Sequence, residues 1–289
     1  MRLLLQYAAS GVATGCAFAL VATGFVAIYR VTRVVNFAQG VFAVLAGMCA
    51  YSLLAHAVPH VLAEALAVLL AAGAGLLVGL VAIGRPGTSP LASLIISLGL
   101  GIGTYAILIL VWGDQPISFD GLKGNLDVGG VSMQAQYVLV VAVTAATFAA
   151  LALFFDHTYL GRGLTACSSN PHAARLIGID VTRMGLVAFS LGGALGGLAG
   201  VLITPLQPVA FDSDVGIAIN GFAAAIFGGL LRPGTALAGA LVLGVAEALV
   251  AGYAQASLQS GVALVLMIGL MVWRASRQPA VAVADESAA

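Results

Sequence analysis

Residues 156–183 read DHTYLGRGLTACSSNPHAARLIGIDVTR. This polar island holds Arg162, Arg175 and Arg183, with Asp156 and Asp180 toward its two ends, and long apolar runs flank it on both sides. The contrast sets the fold class. The chain has 289 residues, of which 61% are hydrophobic and only 8% charged, with a mean hydropathy of +1.10. Soluble domains carry roughly 25% charged residues. A chain this poor in charge cannot cover a water-facing surface, so the sequence predicts an all-α, polytopic transmembrane helix bundle. The island becomes a docking element on one membrane face.

A spanning helix needs roughly 20 mainly apolar residues. Candidate spans fall near 4–29, 34–55, 61–83, 91–112, 136–155, 184–204, 215–230, 235–253 and 258–273. The seventh and ninth are short, so eight or nine crossings are expected. Positive charge favours short cytoplasmic loops. With the island inside and nine crossings, Arg30, Arg33, Arg85, Arg162, Arg175, Arg183, Arg232, Arg274 and Arg277 lie inside, leaving only Arg2 and Lys123 of the 11 basic residues outside. The opposite loops are acidic, with Asp114, Asp120 and Asp127 in one and Asp212 and Asp214 in another. The C-terminus is then cytoplasmic. Loop 113–135 reads as turn chemistry rather than a domain. The expected division is one transmembrane domain over 1–277, with its loop at 156–183, and a disordered tail over 278–289.

Several chemistries are excluded. Net charge is zero, which gives no basic field for nucleic acid. The three cysteines, Cys16, Cys49 and Cys167, are scattered without a CxxC, so neither a disulfide framework nor a metal site is expected. Lys123 is the only lysine and no GxxxxGK(S/T) loop exists, so the chain is no P-loop ATPase. There is no HExxH, no GxSxG and no catalytic grouping of His56, His60, His157 and His172. The chain reads as no enzyme.

Within the spans the carboxylates are Glu64 and Glu247. Intramembrane charge is costly and points to function. Glu64 either faces water beside His60 or serves the path; Glu247 either lines the path or hydrogen-bonds between helices. Asn36 and Gln39, in VVNFAQG, either expose a broken helix to a solute or cap a helix, and Asn220 has the same two readings. Gly192, Gly196 and Gly200 share one helix face with Gly193 and Gly197 beside it, a small-xxx-small pattern for close helix contact. Segments 1–2 and 6–7 share a Gly-rich helix, a polar turn and an Asn motif, a weak internal repeat. In the island, Asn170-Pro171 is a helix start and Gly178 a stop, giving a helix of about seven residues. Its Ala173, Ala174, Leu176 and Ile177 are expected to form an apolar ridge for a soluble partner.

The chain resembles the permease subunits of the branched-chain amino acid type of bacterial ABC importer. The likeness rests on GVATGCAFALVATGFVAIYRVTRVVNFAQG at 11–40, on Gly161-Arg162-Gly163 leading to ARLIGIDVTR and AFSLGGALGGLAGVL, and on AAAIFGGLLRPGTALAGALVLGVAEAL at 223–249. The resemblance implies ATPase coupling through a loop with an EAAxxxG pattern. His172-Ala173-Ala174-x-x-x-Gly178 has that spacing with His172 in the glutamate position, so Gly161, Arg162, His172, Ala173, Ala174, Arg175 and Gly178 become the coupling residues. Gln39 stands where many relatives have His. The resemblance further implies no cofactor on this chain, with ATP used by two cytoplasmic ATPase subunits. It implies a second, related permease forming a homo- or heterodimer, an extracytoplasmic binding protein meeting loops 113–135 and 205–214, and a place in the bacterial inner membrane. Alternating access would move an amino acid or small polar solute along Asn36, Gln39, Asn220 and Glu247. A self-contained secondary transporter or channel is the competing reading, and a membrane-embedded enzyme a third.

Overall fold

The computed structural model describes residues 2–84, 88–128, 131–253 and 259–277. Arg85 and the tail 278–289 lie outside the described residues. Each of the nine apolar runs forms a helix: α1 (Arg2–Thr32), α2 (Gln39–Ala55), α3 (His60–Ile83), α4 (Pro90–Trp112), α5 (Ala135–His157), α8 (Val181–Ile203), α9 (Ser213–Phe227), α10 (Pro233–Tyr253) and α11 (Gln259–Arg277). The island folds as α6 (Tyr159–Ser169) and α7 (Pro171–Leu176). Among the described residues six helices, α1, α3, α4, α5, α8 and α10, have the length and hydropathy to cross a membrane. Helices α2 and α9 are apolar but only 17 and 15 residues long. At 1.5 Å per residue they fall short of the roughly 30 Å hydrocarbon core.

Small residues decide the packing. Helices α1, α2 and α8 form the centre, and α1 is buried along most of its length. The two glycine rows of α8 meet different neighbours. A Cβ on Gly196 would stand 3.2 Å from Phe42 Cβ, and one on Gly200 would stand 2.6 Å from Ala43 Cα, both on α2. Gly193 and Gly197 instead face Ala71 and Gly75 of α3. On the other flank Gly11 and Gly15 of α1 lie against α10, with a Gly15 Cβ 2.8 Å from Ala240 O. Lipid supplies no hydrophobic drive between helices, so close backbone approach is what these stripes contribute. The outer sides of α3 and α4 leave Leu69, Leu77, Ile107 and Leu110 exposed, as a membrane element does.

At the end opposite α6–α7, residues 113–134 do more than turn. Two short strands, β1 (Asn125–Val128) and β2 (Val131–Gln134), pair antiparallel. Upstream, Ile117 bridges Val209 through hydrogen bonds of 2.9 and 2.8 Å. The expected loop 205–214 is partly tied down by this bridge: Val209 is buried and Asp214 stands in the first turn of α9 with its backbone against Gly40, while Gln207, Pro208 and Asp212 stay exposed. Helix α9 therefore begins inside the bundle, beside the first turn of α2. Glu64 remains near this same end, half-buried, with Oε1 3.8 Å from His60 Nδ1.

Candidate coupling element and cavities

The α6–α7 element is built by local chemistry. Thr158 Oγ1 accepts from Gly161 N at 3.0 Å and starts α6. Asn170 Oδ1 accepts from His172 N and Ala173 N, both at 3.0 Å, while Pro171 fills the first helical position of α7. Termination is equally specific. Gly178 takes φ +86°, its N–H donates to Arg175 O and Ile179 N–H donates to Ala174 O, each at 3.0 Å, a Schellman stop. Asp180 then caps α8 through Thr182 N and Arg183 N at 3.0 and 3.1 Å, and its other oxygen lies 3.0 Å from Arg183 Nε.

Arg162, His172, Ala173, Arg175, Leu176 and Ile177 are exposed on this element, as are Tyr159 and Leu160 at the start of α6. Leu176 and Ile177 are 77% and 74% exposed. Ala174 differs from the expected ridge. It is 2% exposed and packs with Leu164, Cys167, Val31 and Ala188, so it roots α7 on the bundle. Gly161 and Gly163 are also buried: a Gly161 Cβ would collide with Phe155 Cα at 2.6 Å, and Gly163 faces the Met184 sulfur at 3.0 Å. Burial pushes the Cys167 thiol up, which leaves it a packing residue rather than a nucleophile.

Two residues that the sequence offered only as topology markers tie this element to α1. Arg30 Nη2 donates to Ser168 Oγ at 3.4 Å, with its guanidinium 5.9 Å from the Phe155 ring centroid. Arg33 Nη2 donates to Ser168 O at 3.3 Å, near the C-terminal carbonyls of α6 where a cation is favoured. Arg33 itself takes φ +58°, a left-handed conformation that is costly for a residue with a side chain. The arginines thus join α6 to the turn that enters α2.

That turn holds Asn36 and Gln39, both fully buried. Asn36 Oδ1 accepts from Ala38 N at 3.1 Å, and Gln39 Nε2 donates to Gly192 O at 2.8 Å. Asn36 Nδ2 and Gln39 Oε1 meet no partner among the described residues. The contacts are those of the packing reading: Asn36 closes a local turn, and Gln39 bonds across helices in a slot made by Gly24, Gly192 and Gly196. Their neighbour Phe37, 42% exposed, borders an apolar cavity.

Asn220 and Glu247 come together elsewhere. They border one cavity of about 280 Å³ with Gln207 and Ser213. Glu247 and Gln207 also border an adjoining cavity of about 320 Å³, with Tyr7, Thr14 and Tyr137. Glu247 is 1% exposed, so its carboxylate forms the wall between two polar spaces near the hairpin end. Sequence reading missed Gln207, which has no motif around it and reaches this site because 204–212 folds back between α8 and α9. A third cavity, about 480 Å³ and mainly apolar, lies across α9 from Asn220; a fourth, about 570 Å³, sits beside Arg33 and Arg175. The four expected path residues therefore divide into a buried turn and a polar cavity.

A sequence profile described as "Branched-chain amino acid transport system / permease component" matches residues 7–271. The chain belongs to this family. It is 27% identical over 282 residues to the high-affinity branched-chain amino acid transport system permease protein LivH of Escherichia coli K12, covering 91% of each chain. It is 31% identical over 276 residues to the probable branched-chain amino acid transport permease protein LivH of Methanocaldococcus jannaschii, covering 88% of this chain and 85% of the relative. Among solved structures the fold resembles PsaBC from Streptococcus pneumoniae in complex with Fab, with a TM-score of 0.51 over 93% of this chain and 90% of that one at 15% identity. The family is a transport permease family, and this member is a multi-pass membrane protein.

Proposed function

We propose that the chain is the membrane-spanning permease subunit of an ATP-driven importer of the ABC type, moving branched-chain amino acids or a related small polar solute by alternating access. The family match over 7–271 carries this reading. The partners are two cytoplasmic ATPase subunits, a second related permease and an extracytoplasmic binding protein; ATP is hydrolysed on the ATPases and this chain holds no cofactor.

Coupling runs through α6–α7. The exposed Arg162, His172, Ala173, Arg175, Leu176 and Ile177 offer apolar and cationic contacts to a groove on the ATPase, while Gly161, Ala174 and Gly178 fix the shape of the element. ATPase closure displaces it, and Arg30 and Arg33 pass the displacement to the turn bearing Asn36 and Gln39. Two buried polar atoms without partners make that turn a place where a second packing is favoured. Asn220 and Glu247 contribute the polar part of the path. The transmembrane domain runs over 1–277 with eight or nine crossings, and the arginine-rich end with the C-terminus faces the cytoplasm of the inner membrane.

The test is reconstitution in proteoliposomes with the cognate ATPases and binding protein, sought among neighbouring genes. Uptake of labelled leucine, isoleucine or valine that requires internal ATP is expected. Arg175→Glu is expected to lower uptake and ATPase co-purification together. Uptake by this chain alone along an ion gradient would overturn the proposal in favour of a secondary transporter.

A further inference from the structure

Helix α9 separates two unlike cavities. Ser213, Gly216, Ile217 and Asn220 face the polar one shared with Glu247. On its other side Asp214, Ala218 and Phe222, spaced four apart, face the cavity of about 480 Å³ that α9 forms with α4 and the α1–α2 turn. Its walls are aromatic. Phe222 lies 5.5 Å from Phe25 and 6.4 Å from Phe37, centroid to centroid, and Tyr105 and Ile102 of α4 close the opposite wall.

One charge stands among those walls. Asp214 is the single ionisable acid or base lining the cavity apart from the Tyr105 phenol, and its Oδ1 is buried without a hydrogen-bond partner among the described residues. Acyl chains filling this space would leave that buried oxygen without a partner, which is costly. An anion is disfavoured by the like charge. What fits is a cation carried on an apolar body: the carboxyl group supplies the counter-charge, and the aromatic walls take the apolar part. The cavity is within the usual range of about 300–1,000 Å³ for small-molecule sites.

We propose that this cavity binds a small aliphatic ammonium compound, with the nitrogen at Asp214 and the branched carbon chain against Phe25, Phe37 and Phe222. This deepens the transport reading and rests on it, because an apolar amino acid is the import substrate of that class. The substrate carboxylate stays at the open flank, where the cavity presents no cation. Asp214 and the three phenylalanines then select for the ammonium end and the apolar side chain.

The experiment compares two fragments of leucine on the permease–ATPase complex in detergent, without binding protein. Isoamylamine keeps the branched chain and the ammonium; isocaproate keeps the branched chain and the carboxylate. Saturation-transfer NMR on the wild-type complex is expected to give about tenfold stronger apparent binding of the amine, the ratio that one charge pair of modest strength supplies. Asp214→Asn is expected to abolish the preference and Asp214→Glu to restore most of it, with ATPase co-purification reporting that each variant assembles. Equal binding of amine and acid by the wild type overturns the proposal, whatever the variants do, and so does a preference that survives Asp214→Asn. Leucine uptake by the complete transporter is measured in parallel. No uptake with the amine preference intact defeats the transport reading alone; normal uptake without the preference defeats the cavity assignment alone.

Discussion

Gly200 shows how little room the centre of the bundle leaves. A side chain there would meet the backbone of Ala43, which has no rotamer to change. We expect Gly200→Val to destabilise the protein by about 2 kcal/mol or more, as overpacking does, read as a lower melting temperature and a smaller monodisperse fraction in detergent. Gly103 is the contrast. It lies inside α4 with nothing within 4 Å of a added Cβ, so Gly103→Ala should be neutral or stabilise by up to about 1 kcal/mol through helix propensity. If both variants behave alike, the packing account of the glycine rows is wrong. Gln39 adds a polar version of the same argument. Its amide nitrogen binds Gly192 O across the bundle at 2.8 Å, so Gln39→Met should cost about 1 kcal/mol in the same melting assay despite its similar volume.

The coupling element is where local sequence and tertiary packing contribute separately. Its boundaries were legible because Asn170, Pro171 and Gly178 each act on their own backbone. Its orientation was not: a helix of six residues shows no reliable periodicity, and only packing against Val31, Leu164 and Ala188 turns Ala174 inward. The role of Arg30 and Arg33 was hidden for the same reason, since Ser168 lies more than a hundred residues away in sequence. The cavities were the least legible part. Asn220 and Glu247 stood out as polar residues in apolar runs, whereas Asp214 and Gln207 read as loop residues until 204–212 folded back into the bundle. Two substitutions separate shape from contact. Asn170→Ala removes the acceptor for two amides and should cost about 1 kcal/mol locally, lowering ATP-driven uptake, while Asn170→Asp should retain uptake because it caps equally well. Arg33→Ala should leave α7 exposed and ATPase binding intact yet lower uptake per ATP hydrolysed, a split that loss of docking would not produce.

Across the whole molecule the nine apolar runs, the central glycine rows and the polar element at one end were all readable, because membrane composition and small-residue spacing act over long segments. Sidedness is a separate matter, and the charge distribution makes a prediction about it. Arg30, Arg33, Arg162, Arg175 and Arg183 gather at the α6–α7 end, while Asp114, Asp120 and Lys123 lie at the hairpin end, the last two paired at 2.9 Å and well exposed. The native cysteines offer a clean background for testing which end is inside. Cys16, Cys49 and Cys167 are all free and buried, so the unmodified chain should react slowly with a membrane-impermeant maleimide. Leu176 on α7 and Leu122 beside the hairpin are both well exposed, at 77% and 56%. In intact cells from which the outer permeability barrier has been removed, Leu122→Cys should label at once and Leu176→Cys only after the inner membrane is opened. The reverse order would invert the bundle, place α6–α7 on the side that holds no ATP, and remove the physical basis for coupling through it.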